Sequence, residues 1–473
     1  MSDRFVSENP ATGKVIWEGT SATQNEVNVA VAGARAMFPV WAELSLENRL
    51  QYLEKFCAIL TAERSALARV LSEENGKPLW EADLEIGSMI NKLPISLQAH
   101  RERCPDKKES GSQGTSRVMH KPHGVLGILG PFNFPGHLPN GHMMPALLAG
   151  NTIVFKPSEL TPMISEKIMD CWNRAGLPVG VLNLIQGSSE TGRYLAEHRD
   201  LDGLMFTGSF KVGHSLAKLY AERPGKILAL EMGGNNPLIV HEVRDLKAAV
   251  YHIIASAYIT SGQRCTCARR LILPRTSIGK ELVQLLIGAV SNIVVGAFTD
   301  KPEPFMGPLI SNHAATAVAS AYEALENAGG IPLVPLKRSD KGLSFLTPGL
   351  IDVTAIQNRK DEEIFGPLLQ LIWVDNFEEA LKEANRTHYG LAAGLLSDNE
   401  KDYELFVNTV KAGIMHWNKP LTGASSQAPF GGVKDSGNYH PSAYYAADYC
   451  SYPVAGLLDT ILKLPDKLWP GLT

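Results

Sequence analysis

The stretch Gly203-Leu204-Met205-Phe206-Thr207-Gly208-Ser209-Phe210-Lys211-Val212-Gly213 reads as a short buried strand, a turn and the start of a helix. Residues 203–206 form an apolar run, and 211–222 carries the helical pattern. Gly208 and Gly213 bracket four residues. Glycine lets the backbone approach a phosphate, and a helix N-terminus offers N–H donors and the positive end of its dipole. The same spacing also suits a plain strand-to-helix turn. It is not the G-x-G-x-x-G of ordinary dinucleotide folds.

Similar short apolar runs lie at 125–129, 152–155, 181–185 and 227–230, with a helical segment at 162–175. Buried strands alternating with helices predict an α/β fold: a parallel sheet covered on both faces. Ligands on such sheets sit at the carboxyl ends of the strands. The alternation returns between 250 and 440. Runs at 269–273 and 368–374 and helical patterns at 280–293, 314–328 and 377–385 predict a second α/β domain. Residues 24–104 read as mostly helical, with Ser45 placed to cap a segment at 46–63. The polar stretch 107–116 interrupts this pattern. The tail at 443–457, rich in Tyr and Ala, reads as an edge strand that pairs with another subunit.

The chain has 473 residues, 44% hydrophobic and 20% charged, with a net charge of −4 and no block of one sign. That is ample for two or three domains and argues against nucleic acid or a membrane surface as partner. Residues 1–13 lack a basic-then-apolar signal pattern, so the cytoplasm is the expected location. Six scattered cysteines suggest neither a disulfide framework nor a zinc site. His137 and His142 are five apart with Pro139 between them, which argues against one continuous helical face. No metal is expected.

One cysteine stands apart. Cys265 lies in Ser261-Gly262-Gln263-Arg264-Cys265-Thr266-Cys267-Ala268, after a Gly-Gln turn and beside a cation. A free thiol needs a local cation, oriented N–H groups or a base before it is an effective nucleophile. By itself such a cysteine is more often a small buried apolar residue, and that is the reading for Cys267. A carboxylate, Glu231, lies in Glu231-Met232-Gly233-Gly234-Asn235-Asn236-Pro237. Asn133, in Gly130-Pro131-Phe132-Asn133-Phe134-Pro135, either satisfies a turn or points its NH2 at an oxyanion. Phe155-Lys156-Pro157-Ser158-Glu159 ends a strand. There a lysine and a glutamate three apart can hold a ribose, and the carboxylate repels a 2′-phosphate. Solvation of Lys156 and helix capping by Ser158-Glu159 are the plainer alternative. Glu362-Glu363-Ile364-Phe365-Gly366-Pro367 and the glycine loop from Pro429 to Gly437 complete the set.

In this order and at these spacings the motifs resemble the aldehyde dehydrogenase superfamily. The resemblance runs from Asn9-Pro10-Ala11-Thr12-Gly13 to Gly437, with the first strand shortened. It implies two Rossmann-like parallel-sheet α/β domains plus a small oligomerisation β-flap. The NAD-binding domain would be 1–103 and 122–232, the catalytic domain 233–440, and the flap 104–121 and 441–473. It also implies Cys265 as nucleophile, Asn133 and the Cys265 N–H as oxyanion donors, and Glu231 as the base that activates water. NAD would be held by Lys156, Ser158 and Glu159 at the adenosine ribose and by Gly208, Ser209 and Gly213 at the pyrophosphate. Glu363 would hold the nicotinamide ribose, and Phe365 would pack near the ring. A homodimer or homotetramer is implied. Glu231 is absent from members that pass the acyl group to coenzyme A, so a free acid is the expected product.

Three segments narrow the resemblance: Phe134 to His142, Gly262 to Arg270 and Trp417 to Ser426. They resemble the N-succinylglutamate 5-semialdehyde dehydrogenases of bacterial arginine catabolism. Such a substrate carries two carboxylates and an amide, and needs cations or N–H and O–H donors. Arg264, His137, His142, Lys419, Thr422, Ser425 and Ser426 are the candidates. The alternatives are another ω-semialdehyde dehydrogenase, a thiol esterase or acyltransferase, and a non-catalytic NAD-binding protein.

Overall fold

The computed structural model describes residues 3–111, 114–342, 344–464 and 467–472. The expected segments 1–103, 104–121, 233–440 and 441–473 each contain at least one residue outside that range. Two sheets organise the chain. The first has five strands, all parallel, in the order Leu182–Leu184, Thr152–Lys156, Val125–Leu129, Gly203–Gly208, Ile227–Met232. Each apolar run that the sequence marks in this region is one of these strands. They read as continuous runs because both faces are buried. Leu126 and Ile128 point into one core cluster while Val125 points into another. Ile153 and Phe155 divide from Val154 in the same way.

Chain order matters here. The chain starts the sheet at Val125–Leu129, moves outward to Leu182–Leu184, then returns to lay Gly203–Gly208 on the other side of the first strand. That reversal opens a crevice at the carboxyl ends of the two neighbouring strands, where ligands bind in open α/β sheets.

The second sheet has seven strands, in the order Ile331–Val334, Gly349–Asp352, Leu368–Val374, Ala268–Pro274, Asn236–Val240, Ala392–Leu396, Ile414–Trp417. It is mixed rather than purely parallel, because Ile331–Val334 runs antiparallel at the edge. Pro332 sits on this strand, a position that an edge tolerates because a ladder N–H is not required there. Leu238 and Val240 face one core cluster and Ile239 the other.

Four helices, Gln24–Glu43, Leu46–Ala62, Arg64–Asn75 and Leu79–Arg103, precede the first sheet. Thr23 and Glu26 cap the first reciprocally, and Ser45 caps the second as expected. Among the described residues no single helix is long and apolar enough to cross a membrane.

The polar stretch after 104 is not a simple break. Lys107–Gly111 pairs with Gly114–Pro122, and Ser451–Leu458 adds to the other side of that strand. The expectation that the tail is an edge strand therefore holds, but its described partner is its own chain. The short helix Ala446–Tyr449 turns the tail back by packing Ala447 against Ala99 and Cys104.

Candidate active site

Cys265 follows a backbone that folds against its own preference. Thr260 and Ser261 hold φ of +54° and +53°, and Gly262 follows at +71°. Such non-glycine residues cost on the order of 1–3 kcal/mol each unless their surroundings over-determine them. Here they do. Ser261 Oγ donates to Gly307 O at 2.7 Å, and Thr260 Oγ1 bonds Glu81. Ile310 N donates to Gln263 Oε1 at 3.0 Å. Arg269, fully buried, donates to Gly262 O at 2.6 Å and to Arg264 O at 2.8 Å. Asn236 Nδ2 donates to the carbonyls of Cys265 and Cys267 at 2.7 and 2.9 Å. Gly262 cannot be replaced without a clash, since a Cβ there would lie 2.0 Å from Gly366 O.

The loop delivers Cys265 to the junction of two cavities. The larger, about 730 Å³, lies over the crevice of the first sheet. It is lined by Asn133, Lys156, Ser158, Glu159, Gly208, Ser209, Glu231, Cys265, Glu363 and Phe365. The smaller, about 160 Å³, shares Cys265 and Glu231 with it. Its wall includes Arg264, His137, His142, Thr422, Ser425 and Ser426.

Two expected residues lie elsewhere. Gly213 does not line the large cavity. A Cβ there would come within 2.3 Å of Met232 Sδ, so this glycine lets the helix Phe210–Ala221 sit close on the strand Ile227–Met232. Lys419 is exposed and lines neither cavity; its charge acts on His252 instead.

Arg264 lines the smaller cavity but is not the free cation its sequence suggests. Its guanidinium donates to Glu81 at 2.8 Å, to Thr260 Oγ1 at 2.6 Å and to Thr422 O at 3.3 Å. It also stands 4.9 Å from the Phe134 ring, whose centroid Lys77 Nζ approaches at 3.5 Å. The cation whose charge favours the Cys265 thiolate is Arg269, not Arg264. That help is outweighed. Burial, then the carboxylates of Glu363 and Glu231, push the thiol well up.

Glu231 is 5% exposed. Ser442 N donates to its Oε1 at 3.2 Å, while its Oε2 has no partner among the described residues. Burial pushes its carboxyl up to about 8. Asn133 Nδ2 donates to Gln263 O at 2.9 Å, which leaves its second amide hydrogen available. The Cys265 N–H has no acceptor among the described residues.

His137 and His142 are on one helix, His137–Ala149, despite Pro139. The proline lies in the first turn, where no intrahelical N–H bond is needed, and Glu85 Oε1 accepts the N–H groups of Gly136 and His137 at 3.0 and 3.1 Å. Burial, reinforced by Lys92, pushes both imidazoles down to about 3. They are neutral hydrogen-bonding groups, not cations. His142 Nδ1 pairs with Tyr449 Oη at 2.8 Å.

The large cavity suits a dinucleotide. Lys156 is buried, not solvated; its Nζ donates to Pro157 O at 2.7 Å and stands 3.6 Å from Glu159. Two ammonium hydrogens and an adjacent carboxylate are a complementary set for a ribose diol. Ser158 and Glu159 do not cap the next helix, Pro162–Arg174, because Glu74 accepts its first N–H groups at 2.7 and 2.8 Å. Ser209 caps the helix at the crevice, with Val212 N donating to its Oγ at 3.4 Å. The Glu363 carboxyl, pushed up to about 7 by burial, accepts from Gly234 N at 3.2 Å.

The chain matches the aldehyde dehydrogenase family over residues 1–453. It belongs to that family. The aldehyde dehydrogenase KauB from Pseudomonas aeruginosa shares 31% identity, with 96% of this chain and 93% of that one covered and a TM-score of 0.90. A betaine aldehyde dehydrogenase from Staphylococcus aureus in complex with NAD+ shares 26%, over 99% and 94%, with a TM-score of 0.90. The glyceraldehyde-3-phosphate dehydrogenase GapN from Methanocaldococcus jannaschii, complexed with NADP, shares 26%, over 97% and 99%, with a TM-score of 0.90. Membership of that family gives a small-molecule aldehyde as the class of substrate.

Two contributors escaped sequence inspection. Arg269 looks like any cation at a strand end. Lys92, on the helix Leu79–Arg103, is 2% exposed and lines the smaller cavity. Its only sequence signal is a charge on the buried stripe of its helix, with Met89 before it and Leu93 and Ser96 after it.

Proposed function

We propose that this aldehyde dehydrogenase oxidises N-succinyl-L-glutamate 5-semialdehyde to N-succinyl-L-glutamate with NAD. The carrying observation is convergence. The segments Phe134 to His142, Gly262 to Arg270 and Trp417 to Ser426 each contribute to the wall of the chamber that Cys265 enters. Segments that carry the narrower resemblance lie where substrate selection would occur.

In this reading residues up to 232, apart from the flap, bind the cofactor, and 233–440 carry the thiol. Cys265 gives up its thiol proton to solvent, and the resulting Sγ thiolate attacks the aldehyde carbon. Asn133 Nδ2 and the Cys265 N–H donate to the oxyanion, where fixed donors weigh most. A bound nicotinamide would supply the hydride acceptor. Lys156, Ser158 and Glu159 orient the adenosine ribose, and Glu363 and Phe365 orient the other end. Glu231, as carboxylate, removes a proton from the water that cleaves the Cys265 thioester. The Glu159 carboxylate supports NAD over NADP, because it would face a 2′-phosphate.

A shorter ω-semialdehyde, of succinate or glutamate, is the second reading, favoured by the modest volume of about 160 Å³. NADH formation with the succinylated and unsuccinylated semialdehydes separates the two. A higher kcat/KM for the succinylated compound is expected; equal values would sink the assignment.

A further inference from the structure

Among the described residues, the smaller chamber carries one cation without a counter-ion. Lys77 is paired with Glu85 at 2.5 Å and Arg264 with Glu81 at 2.8 Å. Lys92 has no carboxylate within ion-pair distance among the described residues, although it is 2% exposed. Ser426 Oγ, at 3.4 Å, is the acceptor its ammonium meets. Gly141 leaves room for the stem, since a Cβ there would touch Lys92 Cε at 3.4 Å. The neighbouring histidines are neutral, so they neither cancel nor add to this charge. Burying an ammonium without a partner is costly, and the cost is relieved when an anion arrives.

We infer that Lys92 and Ser426 form the subsite for a carboxylate of the substrate, remote from the aldehyde carbon, and so select carboxylated aldehydes over uncharged ones. This rests on the reading of the chamber as the aldehyde site of a semialdehyde dehydrogenase. A carboxylate matches one ammonium and one hydroxyl in charge and donor number. A phosphate dianion would leave a charge and oxygens uncompensated.

The test compares N-succinyl-L-glutamate 5-semialdehyde with its dimethyl ester, using native protein, Lys92→Met and Ser88→Glu. Methionine matches the lysine stem in length and removes a buried charge. Ser88 is exposed at the chamber wall one helical turn before Lys92, so Ser88→Glu places a carboxylate beside the ammonium without removing it. A charge-assisted bond to substrate predicts a roughly 10- to 100-fold loss of the acid-over-ester ratio of kcat/KM in Lys92→Met, carried by KM. A smaller loss is expected in Ser88→Glu, which decides the matter alone if Lys92→Met does not fold. A native enzyme with no preference for the acid overturns both the carboxylate-substrate reading and this subsite. A native preference that both variants retain overturns the Lys92 assignment and leaves that reading standing. Turnover of glyceraldehyde 3-phosphate above that of the acid overturns the choice of carboxylate.

Discussion

Replacing Glu231 by glutamine is expected to separate formation of the Cys265 thioester from its hydrolysis. The carboxyl is buried, one oxygen has no partner, and its pKa is pushed up to about 8. The base form therefore accumulates as pH rises through that value. Roughly one carboxyl in eleven is ionised at pH 7 and about ten in eleven at pH 9, so hydrolysis should quicken about tenfold across that interval. Rapid mixing with NAD and aldehyde would show a burst of NADH, about one per Cys265, followed by a slower rate set by hydrolysis. In Glu231→Gln the burst should persist, while the later rate falls by about 10²–10⁴ and loses its dependence on Glu231. Stability gives a second readout. A carboxyl raised in the folded state disfavours folding as pH climbs from the ordinary carboxylate range to about 8. Glu231→Gln should then melt above the native protein at pH 9 and near it at pH 5. A variant that lost the burst itself, or that kept the tenfold rise in its later rate, would refute the assignment of Glu231 to hydrolysis.

Asn133→Ala removes one oxyanion donor and should lower kcat by about 10²–10³ with little change in NAD affinity, measured by steady-state kinetics and NAD titration. Glu159→Ser should raise kcat/KM for NADP relative to NAD, since the carboxylate facing a 2′-phosphate is gone. Arg264→Leu strands the buried Glu81 carboxylate. Urea unfolding should show a loss of about 3–5 kcal/mol, and adding Glu81→Gln should restore most of it. Leu457 and Leu458, 66% and 44% exposed on the edge strand of the three-stranded sheet, are proposed to lie in a subunit interface. Replacing both by lysine should shift the assembly toward monomer in light scattering.

The five strands of the first sheet were legible because both faces of that sheet are buried, whereas in the seven-stranded sheet only 269–273 and 368–374 stood out. Such strands are apolar without alternation, so 125–129 and 368–374 stand out even in a single chain. The strand Lys107–Gly111 was hidden because it is exposed throughout and has no apolar face to mark it. Pro139 misled because a proline breaks a helix interior but not its first turn, and the start of a helix is a matter of one or two residues.

The chain's own order determined the chemistry: a thiol after Gly-Gln, a carboxylate near Gly-Gly, an amide after Gly-Pro-Phe. Those groups need only be present and in sequence for their chemistry to be recognised. What the charges do was decided by tertiary structure. Arg264 is neutralised by Glu81, 183 residues earlier in the chain. Lys419 is left in solvent. Lys92, a charge on the buried stripe of its helix, is buried beside Ser426, 334 residues later. A charge takes its meaning from its partner and its solvation, and both are set only when distant segments pack together.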